Sequence, residues 1–171
     1  MSIGLRPYLP SDAELLAAIF VASIEQVACE DYDVEQIAAW TSKADDEAAF
    51  GARLAAHLTL VATFDGEAVG FASLRGADFL DMLYVHPEAL GQGVATTLVD
   101  ALEKLATARG AAQIKVDASD TAEPFFAARG YRPQQRNTNE IAGVWLANTT
   151  MLKPLAANDT GPGSSVPGGR T

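Results

Sequence analysis

The sequence predicts an α+β domain built on a mixed, mostly antiparallel sheet with one crossover helix in its middle. Three observations carry this. The apolar residues follow a helical period up to about residue 57 and then switch to strand-like runs. Two of those runs, "LTLVATF" and "EAVGFASL", are joined by Asp65-Gly66, a dipeptide suited to a two-residue hairpin because both turn positions need positive φ. Finally, "YVHPEALGQGVATTLVDAL" (Tyr84 to Leu102) passes from strand through a proline and two close glycines into a long helix.

Residues 2–8 predict a short first strand that ends before Pro10. Ser11 and Glu14 of "SDAE" have the spacing of a capping box, and "AELLAAIFVASIEQVA" follows with helical spacing. Asp33 with Gln36 caps a second short helix through Trp40, and a third runs from about Asp45 to His57. After the hairpin, "DFLDMLYV" (Asp78 to Val85) is a third strand of the sheet, ending at His86-Pro87. The long helix spans about Gly93 to Arg109, with Val94, Leu98, Leu102 and Leu105 on one face and Gly110 as its stop. "AQIKVDA" is another strand. A short helix from Thr121 to Arg129 tolerates Pro124 in its first turn and stops at Gly130. Residues 131–137 and 144–152 predict a final pair of strands, and the latter can pair across a homodimer axis. The chain therefore divides into one domain, residues 1–155, and a Gly-, Pro- and Ser-rich tail, 156–171, expected to be disordered.

Composition limits the function. A chain of 171 residues with 49% apolar residues can bury about 70% of its unfolded surface in one core. The net charge of −10 argues against nucleic acid, whose phosphates need Lys and Arg, and is compatible with an amine substrate. Cys29 is the single cysteine, so no internal disulfide and no cysteine metal cluster is expected, and a cytoplasmic location fits. The N-terminus lacks the pattern of a signal peptide, and no apolar run reaches the roughly 20 residues of a membrane span.

Gly91 and Gly93 flank Gln92 just before the long helix. Close glycines let the backbone approach a ligand, and the free N–H groups of a helix start carry partial positive charge. Together they suit a phosphate; the alternative is a plain glycine turn. A Walker loop would need Gly-Lys-Ser/Thr, which is absent. A dinucleotide fingerprint would need Gly or Ala where Thr96 stands.

The stretches "DMLYVHPEALGQGVATTLVDALE" and "SDTAEPFFAARGYRP" resemble the GCN5-related N-acetyltransferases (GNAT), and in particular small bacterial members, over roughly residues 2–155. That resemblance implies the GNAT fold, a twisted sheet flanked by helices whose splayed central strands hold acyl-CoA. It implies acetyl-CoA as acyl donor and no metal. The matching phosphate run is Leu90, Gly91, Gln92, Gly93, Val94, Ala95 and Thr96. The strand expected to run beside the pantetheine, offering a backbone N–H to the thioester carbonyl, is Leu83, Tyr84 and Val85. Two positions depart from the family pattern: Leu90 replaces a Gln or Arg, and Phe126 stands where a Tyr often protonates the leaving thiolate. Ser119 matches a cofactor-bonding Asn, able to bond CoA or relay a proton; its alternative role is a helix N-cap, alone or beside Asp120.

The reaction implied is direct attack of an amine on the thioester, which needs a base because a primary amine is protonated at neutral pH. Asp81, between Leu80 and Met82, is the first candidate; strict alternation would point it with Leu83 and Val85. The alternative is a solvated or salt-bridged aspartate. Glu30 and Asp31 are the next candidates, as bases or as charges that attract the acceptor, and Tyr32 and Trp40 are candidate acceptor-binding aromatics. His57 and His86 titrate in a useful range, with capping or surface roles as alternatives. The acceptor implied is a small-molecule or protein amine. A catalytically silent acyl-CoA sensor or partner-binding module of the same fold is the competing reading, fed by Leu90 and Phe126.

Overall fold

The computed structural model describes residues 2–156, so the expected tail lies almost wholly outside the described residues. Seven strands form one sheet: β1 (Ile3–Pro7), β2 (Leu58–Phe64), β3 (Glu67–Arg75), β4 (Phe79–Val85), β5 (Gln113–Ser119), β6 (Arg132–Ile141) and β7 (Val144–Pro154). Their order is β1-β2-β3-β4-β5-β7-β6. Every neighbouring pair is antiparallel except β4 and β5. Five helices cover it: α1 (Ala13–Val27), α2 (Val34–Thr41), α3 (Glu47–Ala56), α4 (Val94–Ala108) and α5 (Glu123–Ala128). Among the described residues no helix is long and apolar enough to cross a membrane.

The starts of α2 and α3 have a local cause. The Asp33 carboxylate accepts the Gln36 N–H at 2.8 Å while the Gln36 side chain accepts the Asp33 N–H at 3.0 Å, closing the expected capping box of α2. Asp46 caps α3 through the Ala49 N–H. The start of α1 differs from expectation. No Ser11 capping box forms; a 3-10 turn over Pro10–Asp12 precedes the helix. Asp12 turns back to accept the Leu9 N–H at 2.8 Å and both ends of the Arg6 guanidinium at 2.8 and 2.9 Å. A charged bidentate partner on β1 wins over a local cap.

The sheet separates two cores. On one face α4 lays down Val94, Leu98, Val99, Leu102 and Ala106, all buried, against Leu74, Leu80, Val85, Ile114 and Val116, with Phe126 of α5 and Tyr131 beside them. Each such leucine contributes about 1.5–3 kcal/mol. The other face carries Leu16, Ile19, Phe20 and Ile24 of α1, with Phe50 and Leu54 of α3, against Val61, Phe71 and Met82. Gly70 lets α4 approach: a Cβ there would lie 3.0 Å from both the Tyr84 carbonyl and Val94 Cγ1.

Two findings correct the expectations. The run 144–152 cannot pair across a dimer axis, because β7 is bonded to β5 on one side and β6 on the other; β6 is the edge. The strict alternation expected along β4 also fails. Ser73 opposes Met82 and Leu74 opposes Leu80, so Asp81 is an extra residue, a β-bulge. Leu83 and Val85 pack on the α4 side, Met82 and Tyr84 on the α1–α3 side. The bulge turns Asp81 to the α3 side, away from Leu83 and Val85, where it meets Arg53 and His57.

Two phenols, Tyr131 buried and Tyr84 half-buried, predict alkaline sensitivity. Desolvation beside Phe20 and Phe71 pushes Tyr84 up to about 12. Tyr131 is raised as well, by burial first and then by its 2.8 Å bond to Glu103. Raised folded values mean that this stability is complete below about pH 10 and is lost as pH climbs through the folded value. Denaturation midpoints should hold up to about pH 10 and then fall, and Tyr84→Phe should flatten that fall.

Candidate active site

The site begins where two strands part. β4 and β5 run parallel and pair only at Phe79–Lys115 and Leu80–Val116. Beyond Leu80, on the side facing β5, the backbone donors of β4 have no ladder partner, a requirement that buried amides must satisfy elsewhere. The bulge at Asp81 sits at this fork, one residue past the last β4–β5 pair. A cleft of about 580 Å³ passes through the gap. Leu83, Val116, Ser119, Ala122 and Phe126 line one part of it; Tyr32, Trp40, Lys43, Arg53, Asp81 and Glu140 line another.

At its far end β4 leads into the glycine corner. His86 Nδ1 accepts the Glu88 N–H at 3.1 Å and stabilises a short turn over Pro87–Ala89, an ordinary capping role. Gly91 and Gly93 then take φ of 77° and 85°, the left-handed region where a side chain is strained, and α4 starts at Val94. A Cβ on Gly91 would meet nothing within 4 Å, so it is the backbone angle that calls for glycine there. Leu90 is exposed at the rim. Gln92 turns its amide back to the Glu88 carbonyl at 3.4 Å. The Thr97 hydroxyl bonds the Gly93 carbonyl at 2.8 Å, leaving the N–H groups of Val94, Ala95 and Thr96 as the free donors of the first turn. This arrangement fits a phosphate-bearing ligand: open space, aligned donors and no side chain in the way.

Asp81 is nearly sealed, its side chain 4% exposed, yet it lines the cleft. Its Oδ2 accepts from Arg53 Nε at 3.0 Å and its Oδ1 lies 3.6 Å from Arg75. His57 Nε2 is 3.9 Å from Oδ2. Burial, with Arg53 close by, lowers the Lys43 ammonium from its ordinary value. Arg75 also stacks over the Phe79 ring at 4.2 Å.

The second wall is held by Tyr32. Its hydroxyl donates to the Ala147 carbonyl at 3.0 Å and accepts the Asp120 N–H at 2.9 Å, tying the α1–α2 connection to β7 and to the β5–α5 loop. Burial raises its phenol above the ordinary range. Its ring meets Trp40 edge-on at 5.3 Å. Ser119 Oγ accepts the Ala122 N–H at 3.1 Å, the turn-capping role, while still lining the cleft. Phe126 is buried against Phe125 and Tyr131 and presents no proton.

Of the residues singled out in the sequence, Asp81, Leu83, Tyr84, Ser119, Phe126, Tyr32 and Trp40 meet at the cleft. The Tyr84 side chain turns to the aromatic cluster of Phe20 and Phe71. Glu30 and Asp31 do not line the cleft; Glu30 is exposed in a 3-10 turn and Asp31 accepts the Thr121 hydroxyl at 2.8 Å. Cys29 is exposed with its thiol turned to the Gln26 carbonyl. Among the described residues no cluster of His, Cys, Asp and Glu is placed to hold a metal ion. Lys43, Arg53, Arg75 and Asn148 line the cleft without having stood out in the sequence, because none belongs to a local motif.

Comparison with known proteins agrees with this geometry. The acetyltransferase (GNAT) domain model matches residues 28–153. The uncharacterized N-acetyltransferase YafP of Escherichia coli (strain K12) is 35% identical over 150 residues, covering 88% of this chain and 95% of YafP. A crystal structure from Rhodopseudomonas palustris, described as "GCN5-Related N-acetyltransferase: Aminotransferase, Class-II", is 63% identical. It aligns with a TM-score of 0.89 over 91% of this chain and 97% of that one. The PaiA N-acetyltransferase of Thermoplasma acidophilum, solved in complex with coenzyme A, shares the fold at 20% identity. Its TM-score is 0.75 over 90% and 99% of the two chains. The parted sheet, the glycine-cornered crossover helix and the domain model over most of the chain together make this an acetyltransferase-class protein. The chain belongs to the GNAT family and is an N-acetyltransferase.

Proposed function

We propose that this chain moves an acetyl group from acetyl-CoA to a primary amine by direct attack on the thioester. The observation that carries this is the parting of β4 and β5 after two residue pairs, beside a cleft that Asp81, Leu83 and Tyr84 line on the strand leading to the glycine corner. The solved complexes of PaiA with coenzyme A and of the Salmonella typhimurium protein yncA with acetyl-CoA support the choice of donor.

When bound, acetyl-CoA supplies an activated acyl group and a thiolate leaving group. The backbone N–H groups from Gly91 to Thr96 hold its pyrophosphate at the positive end of α4. Leu90 offers no side-chain donor there, so the backbone carries the contact. The unpaired edge of β4 at Leu83, Tyr84 and Val85 holds the pantetheine and places a fixed N–H where charge develops on the carbonyl oxygen. Apolar Leu83, Val116 and Phe126 keep water from that part of the cleft.

Asp81 takes the ammonium proton of the acceptor, directly or through one water. With Phe126 unable to return a proton, the free hydroxyl hydrogen of Ser119 hydrogen-bonds the leaving thiolate, and the hydroxyl passes on a proton that it regains from the nitrogen of the attacking amine through water, since Ser119 Oγ otherwise only accepts the Ala122 N–H. Trp40 and Tyr32 shape the acceptor wall.

The test is CoA release from acetyl-CoA with a panel of primary amines, read by a thiol reagent. Release that depends on an amine, and mass gain of 42 Da on that amine (the mass of one acetyl group replacing hydrogen, about 42 by stoichiometry), is expected. Tight acetyl-CoA binding without release for any amine would leave a binding module instead.

A further inference from the structure

The acceptor side of the cleft carries more positive charge than deprotonating an amine requires. The chain as a whole stands at −10, yet Lys43, Arg53 and Arg75 all line the cleft, the two arginines gathered on Asp81. Arg53 spends its Nε on Asp81, which leaves the rest of its fork free of partners among the described residues. Arg75 is engaged on two sides, by Asp81 and by the Phe79 ring. Lys43 has no carboxylate within ion-pair distance among the described residues. Two further carboxylates line the cleft on other strands: Asp117 of β5, which accepts the Thr150 hydroxyl at 2.6 Å, and Glu140 near the end of β6.

Lys43 is exposed at the cleft without an ion-pair partner among the described residues. Arg53 beside it has the same sign, and Asp81 offsets that only in part. An arriving anion has Lys43 and the free donors of Arg53 to bond. The same wall also holds Asp81, so it presents one acceptor for an ammonium beside two donors for a carboxylate. That pattern is the complement of a zwitterion. A polyamine would bring further positive charge beside Lys43 and Arg53, and the Tyr32 and Trp40 rings are packed edge-on against each other rather than set to stack on a cation.

We propose that the acceptor is a small amine that also bears a carboxylate. Its carboxylate rests on Lys43 and the free fork of Arg53, and its amino group faces Asp81. This rests on the reading of the cleft as the acceptor side of an acetyl-CoA-dependent transferase.

The experiment compares matched pairs of acceptors, free amino acids against their amides, together with spermidine as a polyamine. CoA release is measured for the wild type, Lys43→Met and Lys43→Arg. Wild-type protein should favour the carboxylate member of a pair by about 10-fold or more in kcat/KM, the range of a hydrogen bond to a charged group. Lys43→Met should erase that preference through KM, and Lys43→Arg should restore most of it. Calorimetry should give all three proteins the same acetyl-CoA affinity. Turnover that favours amides or spermidine, or a carboxylate preference that survives Lys43→Met, would overturn the anionic subsite while leaving the transferase intact. Release from none of these amines, together with no acetyl-CoA binding, would overturn the transferase reading itself and this subsite with it.

Discussion

A Gly93→Glu variant is expected to lose acetyl-CoA binding, by about 100-fold or more in Kd, while remaining folded. Gly93 is the N-cap of α4 at φ 85°, and a Cβ there meets only Ile3 Cδ1 at 4.0 Å. A side chain therefore fits sterically into open space, and the cost to folding is the left-handed backbone, about 1–2 kcal/mol. For a chain of this length that lowers Tm by roughly 2–8 °C. The carboxylate is a different matter, since it places a negative charge among the donors that a pyrophosphate would use. Gly93→Ala separates the two effects, because it carries the backbone cost without the charge. Alanine should weaken acetyl-CoA by only a few-fold. Equal losses in both variants would mean that backbone strain alone disturbs binding and that the N–H groups are not the phosphate site. Leu90→Arg provides the opposite change, a guanidinium at an exposed rim position, and should tighten acetyl-CoA several-fold at low salt.

The fold was legible because its elements are locally specified. Asp65 and Gly66 take φ of 50° and 87°, as the dipeptide predicts for a tight hairpin, and Asp33 with Gln36 closes its box. The periodicity of α4 is clear because one face packs on the sheet and the other meets water. The α1 start was misread because its deciding partner, Arg6, lies on another element. The orientation of Asp81 was misread for a similar reason. A period-2 argument assumes an unbroken ladder, and the bulge opposite Ser73 and Leu74 breaks it. Half of the site was legible too. The corner is contiguous in sequence, so its glycines show directly. The acceptor wall draws Lys43 from the turn after α2, Arg53 from α3 and Arg75 from the end of β3. Nothing local in any of these marks it, and only the folded chain brings them to one carboxylate. Glu30 stood close in sequence to Tyr32, but the turn that buries Tyr32 leaves Glu30 in solvent.

Asp81→Asn is the variant expected to lower kcat most, by about 100-fold or more, the range seen when a positioned base is removed. The substitution keeps the shape and one acceptor oxygen for Arg53 Nε, so geometry changes little. It also removes the charge that balances Arg53 and Arg75. Removing one partner of a fully buried pair costs about 3–5 kcal/mol. Here the guanidinium side chains are 40% and 53% exposed, so water takes up most of that loss and the protein should remain folded. Acetyl-CoA affinity should be unchanged, because the glycine corner lies beyond the opposite end of β4. The two roles open to Asp81 then separate kinetically. A base acts in the transition state, so its loss lowers kcat and flattens the acidic side of the kcat profile against pH. A carboxylate that only anchors the arginines would leave kcat in place and raise KM for the acceptor. An Arg53→Met variant measured in parallel, with an acceptor that lacks a carboxylate, reports the anchoring effect, since it frees Asp81 without neutralising it. A fall in kcat confined to Asp81→Asn assigns proton transfer to the aspartate. A fall shared equally by both variants would show that the pair acts as a unit to shape the wall, and that the amine loses its proton to water.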